Sequence, residues 1–328
     1  MEIRSSESTM KNTTNLRQAN GIAVKQSFGA RCARDFRKNY TLYLLILPVI
    51  AFYIIVHYAP MYGAIIAFKN YSPGKGILGS AWCGFDNFSK FFNSVYFGRT
   101  LTNTLRISLF TILFGFTSPI ILALLINELK SRVYSRVVQT VTYMPHFISL
   151  VVICGMLSDF LEADGIITTI CTWFGMERQN LRNVPEYFTT IYVASEVWQT
   201  VGWGSIIYLA ALSGIDPALH EAARIDGANR WRQIWAVDIP CILPTIITLL
   251  VLRLGSVMSV GYEKIILLYN SLTMEKADVI SSYVYRKGLL EADYGYSTAV
   301  GLFNSVINLV LVVAANTISK KTTESGLW

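Results

Sequence analysis

Residues Ser213 to Pro244 read S-G-I-D-P-A-L-H-E-A-A-R-I-D-G-A-N-R-W-R-Q-I-W-A-V-D-I-P-C-I-L-P, a polar island between two long apolar runs. Asp216 is a good N-cap, and Pro217 follows at the first helical position, where its missing N–H costs nothing. Gly227 stands where a left-handed residue would end the helix. These signals predict a helix over residues 217–226, about 15 Å long. A second amphipathic stretch follows, with Ala228, Trp231, Ile234 and Trp235 on one face and Arg230, Arg232 and Gln233 elsewhere. The expected form is two short helices meeting at a glycine corner. The first presents Glu221 beside Ala222 and Ala223. Small side chains let another surface approach closely, and a neighbouring carboxylate can fix its orientation through a charge-assisted contact. A force-transmitting peg needs such a face; a helix lying on a membrane leaflet would show the same pattern.

Outward from this island the chain is apolar. Of 328 residues, 53% are hydrophobic and only 15% charged, against about 25% charged in ordinary soluble domains; the mean hydropathy is +0.43. A bilayer crossing takes about 20 residues of helix, and six runs suffice, near residues 41–63, 101–127, 137–158, 188–212, 241–262 and 298–318. The expected fold is therefore all-α, a polytopic membrane bundle of six transmembrane helices. The first run follows nearly forty polar residues and is longer than a secretory apolar core, so it reads as a retained anchor. Eight Lys/Arg precede it (Arg4, Lys11, Arg17, Lys25, Arg31, Arg34, Arg37 and Lys38). With that tail inside, the inner segments hold sixteen of the 28 Lys/Arg and the outer segments ten. The positive-inside bias puts both termini in the cytoplasm of a multi-pass protein of the bacterial cytoplasmic membrane. The net charge of +7 is thus a topology signal, and no basic stripe for nucleic acid follows. The three outer segments, 68–99, 159–187 and 263–297, are long and aromatic, as an interfacial belt or a docking surface would be.

Glu221-Ala222-Ala223, three residues, Gly227, nine residues, then Val237-Asp238-Ile239-Pro240 resembles the E-A-A-x3-G-x9-I-x-L-P signature of ABC importer permeases of type I. Val237 and Ile239 replace the usual Ile and Leu and stay apolar. The resemblance implies that the loop is the coupling helix seated in a cytoplasmic ATPase, with Asp216, Glu221, Ala222, Ala223, Asp226 and Gly227 as its coupling positions. It covers residues 100–318 and implies a layout of four parts: a basic cytoplasmic tail (1–39), a first transmembrane helix with its outer loop (40–99), the importer core (100–318, coupling loop 213–240) and a cytoplasmic end (319–328). No G-x-x-x-x-G-K-[ST] loop occurs; Ser72-Pro73-Gly74-Lys75-Gly76 lacks the leading glycine and the hydroxyl residue. The chain is thus expected to be no enzyme and to bind no cofactor, with ATP and Mg held by two partner ATP-binding subunits. The other implied partners are a second, homologous permease subunit, an extracytoplasmic solute-binding protein, a carbohydrate substrate and the lipid bilayer.

Asp216-Pro217 with His220, Tyr283-Val284-Tyr285 and Tyr294-Gly295-Tyr296-Ser297-Thr298-Ala299 resemble maltose-type sugar permeases. Pro48, Tyr58-Ala59-Pro60-Met61-Tyr62-Gly63, Ala67-Phe68 and Trp82-Cys83-Gly84-Phe85-Asp86-Asn87-Phe88 resemble the subgroup serving complex oligosaccharides, including pectin- and alginate-type uptake. Polar groups inside apolar runs usually face a cavity or a partner. Arg106, Glu196, Gln199 and Arg253, with Trp198 and Trp203, are therefore the candidate substrate path. A uronate would give both arginines a carboxylate to bind; alternatively, Glu196 pairs with an arginine for structure alone. Asn103, Asn304 and Asn308 fit helix packing equally well, and Pro119, Pro145 and Pro244 mark expected kinks.

The cysteines (Cys32, Cys83, Cys154, Cys171, Cys241) show no C-x-x-C pair, and a Cys83–Cys171 bridge is left open. His57, His146 and His220 are far apart, so no metal site is expected. Two other functions compete. An importer of amino acids, peptides or metals would keep the coupling loop. A membrane glycosyltransferase or polymerase would need clustered acids, for which Asp159, Glu162 and Asp164 are available, though they also read as a solvated turn before Gly165.

Overall fold

The computed structural model describes residues 36–323; most of the basic tail, Cys32 included, lies outside the described residues. The chain divides into two compact units, Met1–Gly63 and Ala64–Trp328. Helix α1 (Tyr40–Phe68) makes up most of what is described of the first unit. It carries Pro48 within its regular part, and it widens to a π-helix over Tyr53–Tyr58 just before Pro60. A proline ring collides with the carbonyl four residues back and offers no N–H; a π-turn at that point opens the space.

In the second unit, strands β1 (Lys69–Asn70) and β2 (Ala81–Trp82) form a small antiparallel hairpin, with Lys69 opposite Trp82. Asn87 opens α2 (Asp86–Phe92) and is buried; its Nδ2 donates to Ala67 O at 2.9 Å and Lys69 O at 3.3 Å, fixing the hairpin to the helix. The long helices α3 (Val95–Asn127) and α7 (Phe188–Ser213) pair along the centre. Small residues set their approach: a Cβ on Gly204 would lie 3.0 Å from Pro119 Cγ. Three apolar clusters lock the bundle, around Ile107–Phe188–Ile265, Ala123–Tyr208–Ile242, and Phe91–Tyr283–Val300. Leu105, Leu109 and Leu113 on α3 and Leu309, Val310 and Val313 on the last helix point outward and stay exposed, as a lipid-facing surface requires.

Two expected spans take a different form. The third run is broken: α4 (Arg132–Tyr143) continues as a tight turn over Met144–Phe147 and meets α5 (Leu150–Phe160) at 97°. Pro145 cannot continue the ladder, and Ser149 caps a new helix by accepting from Val152 N–H. A short helix, α6 (Ile166–Trp173), leads towards α7. The fifth run begins and ends earlier than expected, and a short helix, α8 (Pro217–Ile225), precedes it. Helix α9 runs without a break from Arg230 to Leu254, through a π-turn at Ile234–Asp238 ahead of Pro240. Trp231 and Trp235 are therefore the exposed first turns of this long helix and not a separate one, while Ile234 is buried. After Leu254 the helix stops at G-S-V-M-S-V-G, apolar by hydropathy yet rich in Gly and Ser. Asn308 holds the unwound backbone, accepting from Met258 N–H at 3.0 Å and donating to Ser259 Oγ at 2.9 Å. Helices α10 (Tyr262–Leu268), α11 (Ile280–Tyr285) and α12 (Tyr294–Thr323) complete the chain. Among the described residues, four helices are long and apolar enough to cross a membrane, or five if the bent pair is one span. Helix α7 is continuous over 26 residues but more polar than these. Cys83 and Cys171 are both free thiols. Asp164 pairs with Arg178 at 2.6 Å in an exposed turn.

Candidate functional site

Helix α8 (Pro217–Ile225) forms as its end signals require. Asp216 accepts from Ala218 N–H at 2.9 Å and Pro217 opens the first turn. Gly227 adopts φ +76°, and the exit is a Schellman motif: Ala228 N–H donates to Ala223 O at 2.9 Å and Gly227 N–H to Arg224 O at 3.0 Å. None of its residues is buried, and Glu221, Ala222, Asp226 and Gly227 are exposed. Arg230, at the head of α9, pairs with Glu128 at 3.3 Å, which ties this corner to the end of α3. A short, firmly capped helix thus projects from one end of the bundle with a small, acidic face open.

Elsewhere in the same unit lies a polar cavity of about 420 Å³. Glu196, Gln199 and Arg253 line it, together with His146 and the unwound Ser256–Gly261 backbone. Irregular backbone beside a membrane helix is tolerated where it lines a cavity. Glu196 is tied to neither arginine: Lys264 Nζ donates to its Oε2 at 2.9 Å and to Tyr192 O at 3.3 Å, and sits 4.8 Å over the Tyr192 ring. The Arg253 guanidinium makes no hydrogen bond or ion pair with the described residues. Its charge stays available to whatever enters.

The other three path candidates lie elsewhere. Arg106 donates from Nη2 to Lys276 O at 3.0 Å, joining Arg99 and Asn103 in stapling α3 to the segment before α11. Trp198 lines a separate, apolar recess with Ile153, Met156 and Phe160. Trp203 reaches the cavity only through His146, on which it stacks at 4.5 Å. Among the described residues no group of three or more His, Cys, Asp or Glu could hold a metal ion.

The chain matches the family model described as binding-protein-dependent transport system inner membrane component, over residues 115–324. The chain belongs to this family. Protein LplB of Bacillus subtilis is 41% identical over 293 residues, which cover 89% of this chain and 92% of that one. The polygalacturonan/rhamnogalacturonan transport system permease protein YteP of the same organism is 40% identical over 288 residues, 88% and 90% of the two chains. A crystal structure of a bacterial alginate ABC transporter, in complex with a periplasmic protein holding an alginate pentasaccharide, contains a chain 45% identical to this one. The two superpose with a TM-score of 0.83 over 90% of this chain and 99% of the other. The type I ABC permease fold of this chain is thereby shown, and the chain is the membrane subunit of an importer whose ATPase resides elsewhere.

In this permease, sequence reasoning missed Lys264, Tyr192 and His146. Lys264 lay past the expected end of the fifth span and so counted as an outer-loop charge. The signal that could have found it was the Gly/Ser content of residues 255–261, which stops α9 and turns the chain back toward α7.

Proposed function

We propose that this permease carries a carboxylate-bearing oligosaccharide across the cytoplasmic membrane by alternating access, with its termini and α8 on the cytoplasmic side. One observation carries the substrate class: the unpaired Arg253 guanidinium stands exposed on the lining of a cavity whose buried cation, Lys264, is already neutralised by Glu196. Guanidinium is the preferred partner of a planar carboxylate, while Gln199, Thr200, Ser256 and Ser259 offer hydrogen bonds to hydroxyls. Two relatives serve polygalacturonan/rhamnogalacturonan and the acidic polysaccharide alginate, which supports a uronate-containing cargo. A second homologous permease completes the path, one of two ATP-binding subunits receives α8 through Glu221, Ala222, Ala223 and Gly227, and an extracytoplasmic protein delivers the sugar. ATP and Mg bind to the partner subunits.

The test is co-purification and transport with the partner subunits in proteoliposomes. Glu221→Lys is expected to abolish sugar-stimulated ATP hydrolysis. Arg253→Gln is expected to weaken uptake of oligogalacturonate about tenfold or more, the equivalent of one charge-assisted contact, and to leave uptake of a neutral oligosaccharide unchanged or improved. Failure of any ATPase to co-purify with the wild type would overturn the importer reading; equal loss for both sugars would overturn the uronate assignment.

A further inference from the structure

Helix α8 rests on the π-helical stretch Ile234–Asp238 of α9. At that contact Asp238 is 1% exposed, yet neither carboxylate oxygen accepts a hydrogen bond from the described residues. The basic group beside it is the imidazole of His220, whose Nε2 lies 3.3 Å from Oδ1. A buried carboxyl group without hydrogen bonds is costly unless a polar or charged partner sits beside it. The other charges nearby, Glu128 and Arg230, satisfy each other. His220 is therefore the group that Asp238 depends on.

The placement has a mechanical consequence. His220 precedes Glu221 on α8, and adjacent helical residues point about 100° apart. With His220 held inward against Asp238, Glu221 is turned outward and exposed, as found. A helix with no buried residue of its own has little else to fix its rotation. Asp238 in turn closes the π-turn two residues before Pro240, where the backbone ladder of α9 is already open. We infer that the His220–Asp238 pair is the strut through which α8 drives α9: His220 is a positioning residue that sets the rotation of the coupling helix, and Asp238 receives its push at the base of the span. The inference rests on the coupling role proposed for α8, and goes beyond it by naming the link into the bundle.

The experiment is a double-mutant cycle on the complete reconstituted importer, reading sugar molecules transported per ATP hydrolysed and, separately, the ATPase retained on purification. His220→Ala and Asp238→Asn are each expected to keep the ATPase bound and to lower transport per ATP about two- to thirtyfold, the range carried by packed networks between sites. The double variant is expected to be no worse than either single one, because both remove one link. His220→Gln, which keeps a donor facing Asp238, is expected to recover part of the loss. Wild-type coupling in His220→Ala, or losses that multiply in the double variant, would overturn the strut. Asp238→Asn preserves volume and shape, so the pair remains testable where His220→Ala expresses poorly. A wild type that binds no ATPase would instead remove the coupling reading itself.

Discussion

Lys264 shows how a single side chain can decide what a cavity is. Its side chain is 3% exposed and its ammonium has two acceptors, Glu196 Oε2 and Tyr192 O, besides the Tyr192 ring. Removing one partner of a buried pair leaves an uncompensated charge, whereas removing both often costs little. Glu196→Ala should therefore destabilise the permease by about 3 kcal/mol, read as a fall in the melting temperature of the detergent-solubilised protein. Glu196→Ala with Lys264→Met should recover most of that loss. Equal melting temperatures for Glu196→Ala and the wild type would show that the pair contributes nothing to the fold. The sequence pointed to Glu196 because a carboxylate in an apolar run is conspicuous. It could not point to Lys264, because a lysine in a polar loop is ordinary until the chain is seen to turn back.

Helix α8 was legible almost to the residue, since its ends are written in local chemistry: Asp216, Pro217 and Gly227 act on their own backbone and need no tertiary partner. Helix α9 was less so. Its start was mistaken for a separate short helix because Arg230, Arg232 and Gln233 give that stretch a polar side unlike a span, and its end was placed too late because hydropathy does not register Gly255, Ser256 and Gly261 as helix-ending residues. The break between α4 and α5 had its signals, Pro145 and Ser149, but an apolar count overrode them. At nine residues α8 is shorter than any helix stable alone in water, so its caps decide whether it persists. Asp216→Ala should cost it about 1 kcal/mol, and Gly227→Ala about 1–2 kcal/mol, since φ +76° is strained for any residue with a Cβ. Both changes should speed amide hydrogen exchange over residues 218–225 while leaving α7 protected. Unchanged exchange in both variants would mean that contacts with the bundle, and not the caps, hold the helix.

The orientation of the whole permease follows from where its loops carry charge. The ion pair between Glu128 and Arg230 places the end of α3 and the start of α9 side by side. Arg132 and Arg136 just beyond α3, and Arg224 and Arg232 around α8, give that end of the bundle a dense set of cations. Short loops rich in Lys and Arg are retained in the cytoplasm, and the coupling role proposed for α8 needs that helix there. The hairpin before α2 should then face outside. Two exposed positions read the two ends independently: Leu78, 84% exposed beyond β1, and Ile225, 86% exposed at the tip of α8. With the five native cysteines replaced, Leu78→Cys should react with a membrane-impermeant maleimide added to intact cells, and Ile225→Cys only after permeabilisation. The reverse pattern would put Glu221 on the side without ATP, and no partner ATPase could then reach it. The same labelling of Ile225→Cys in permeabilised membranes should fall when the ATP-binding subunits are co-expressed, because the exposed end of α8 is the surface they would cover. Labelling that is indifferent to those subunits would leave α8 without the partner its open, unburied face requires.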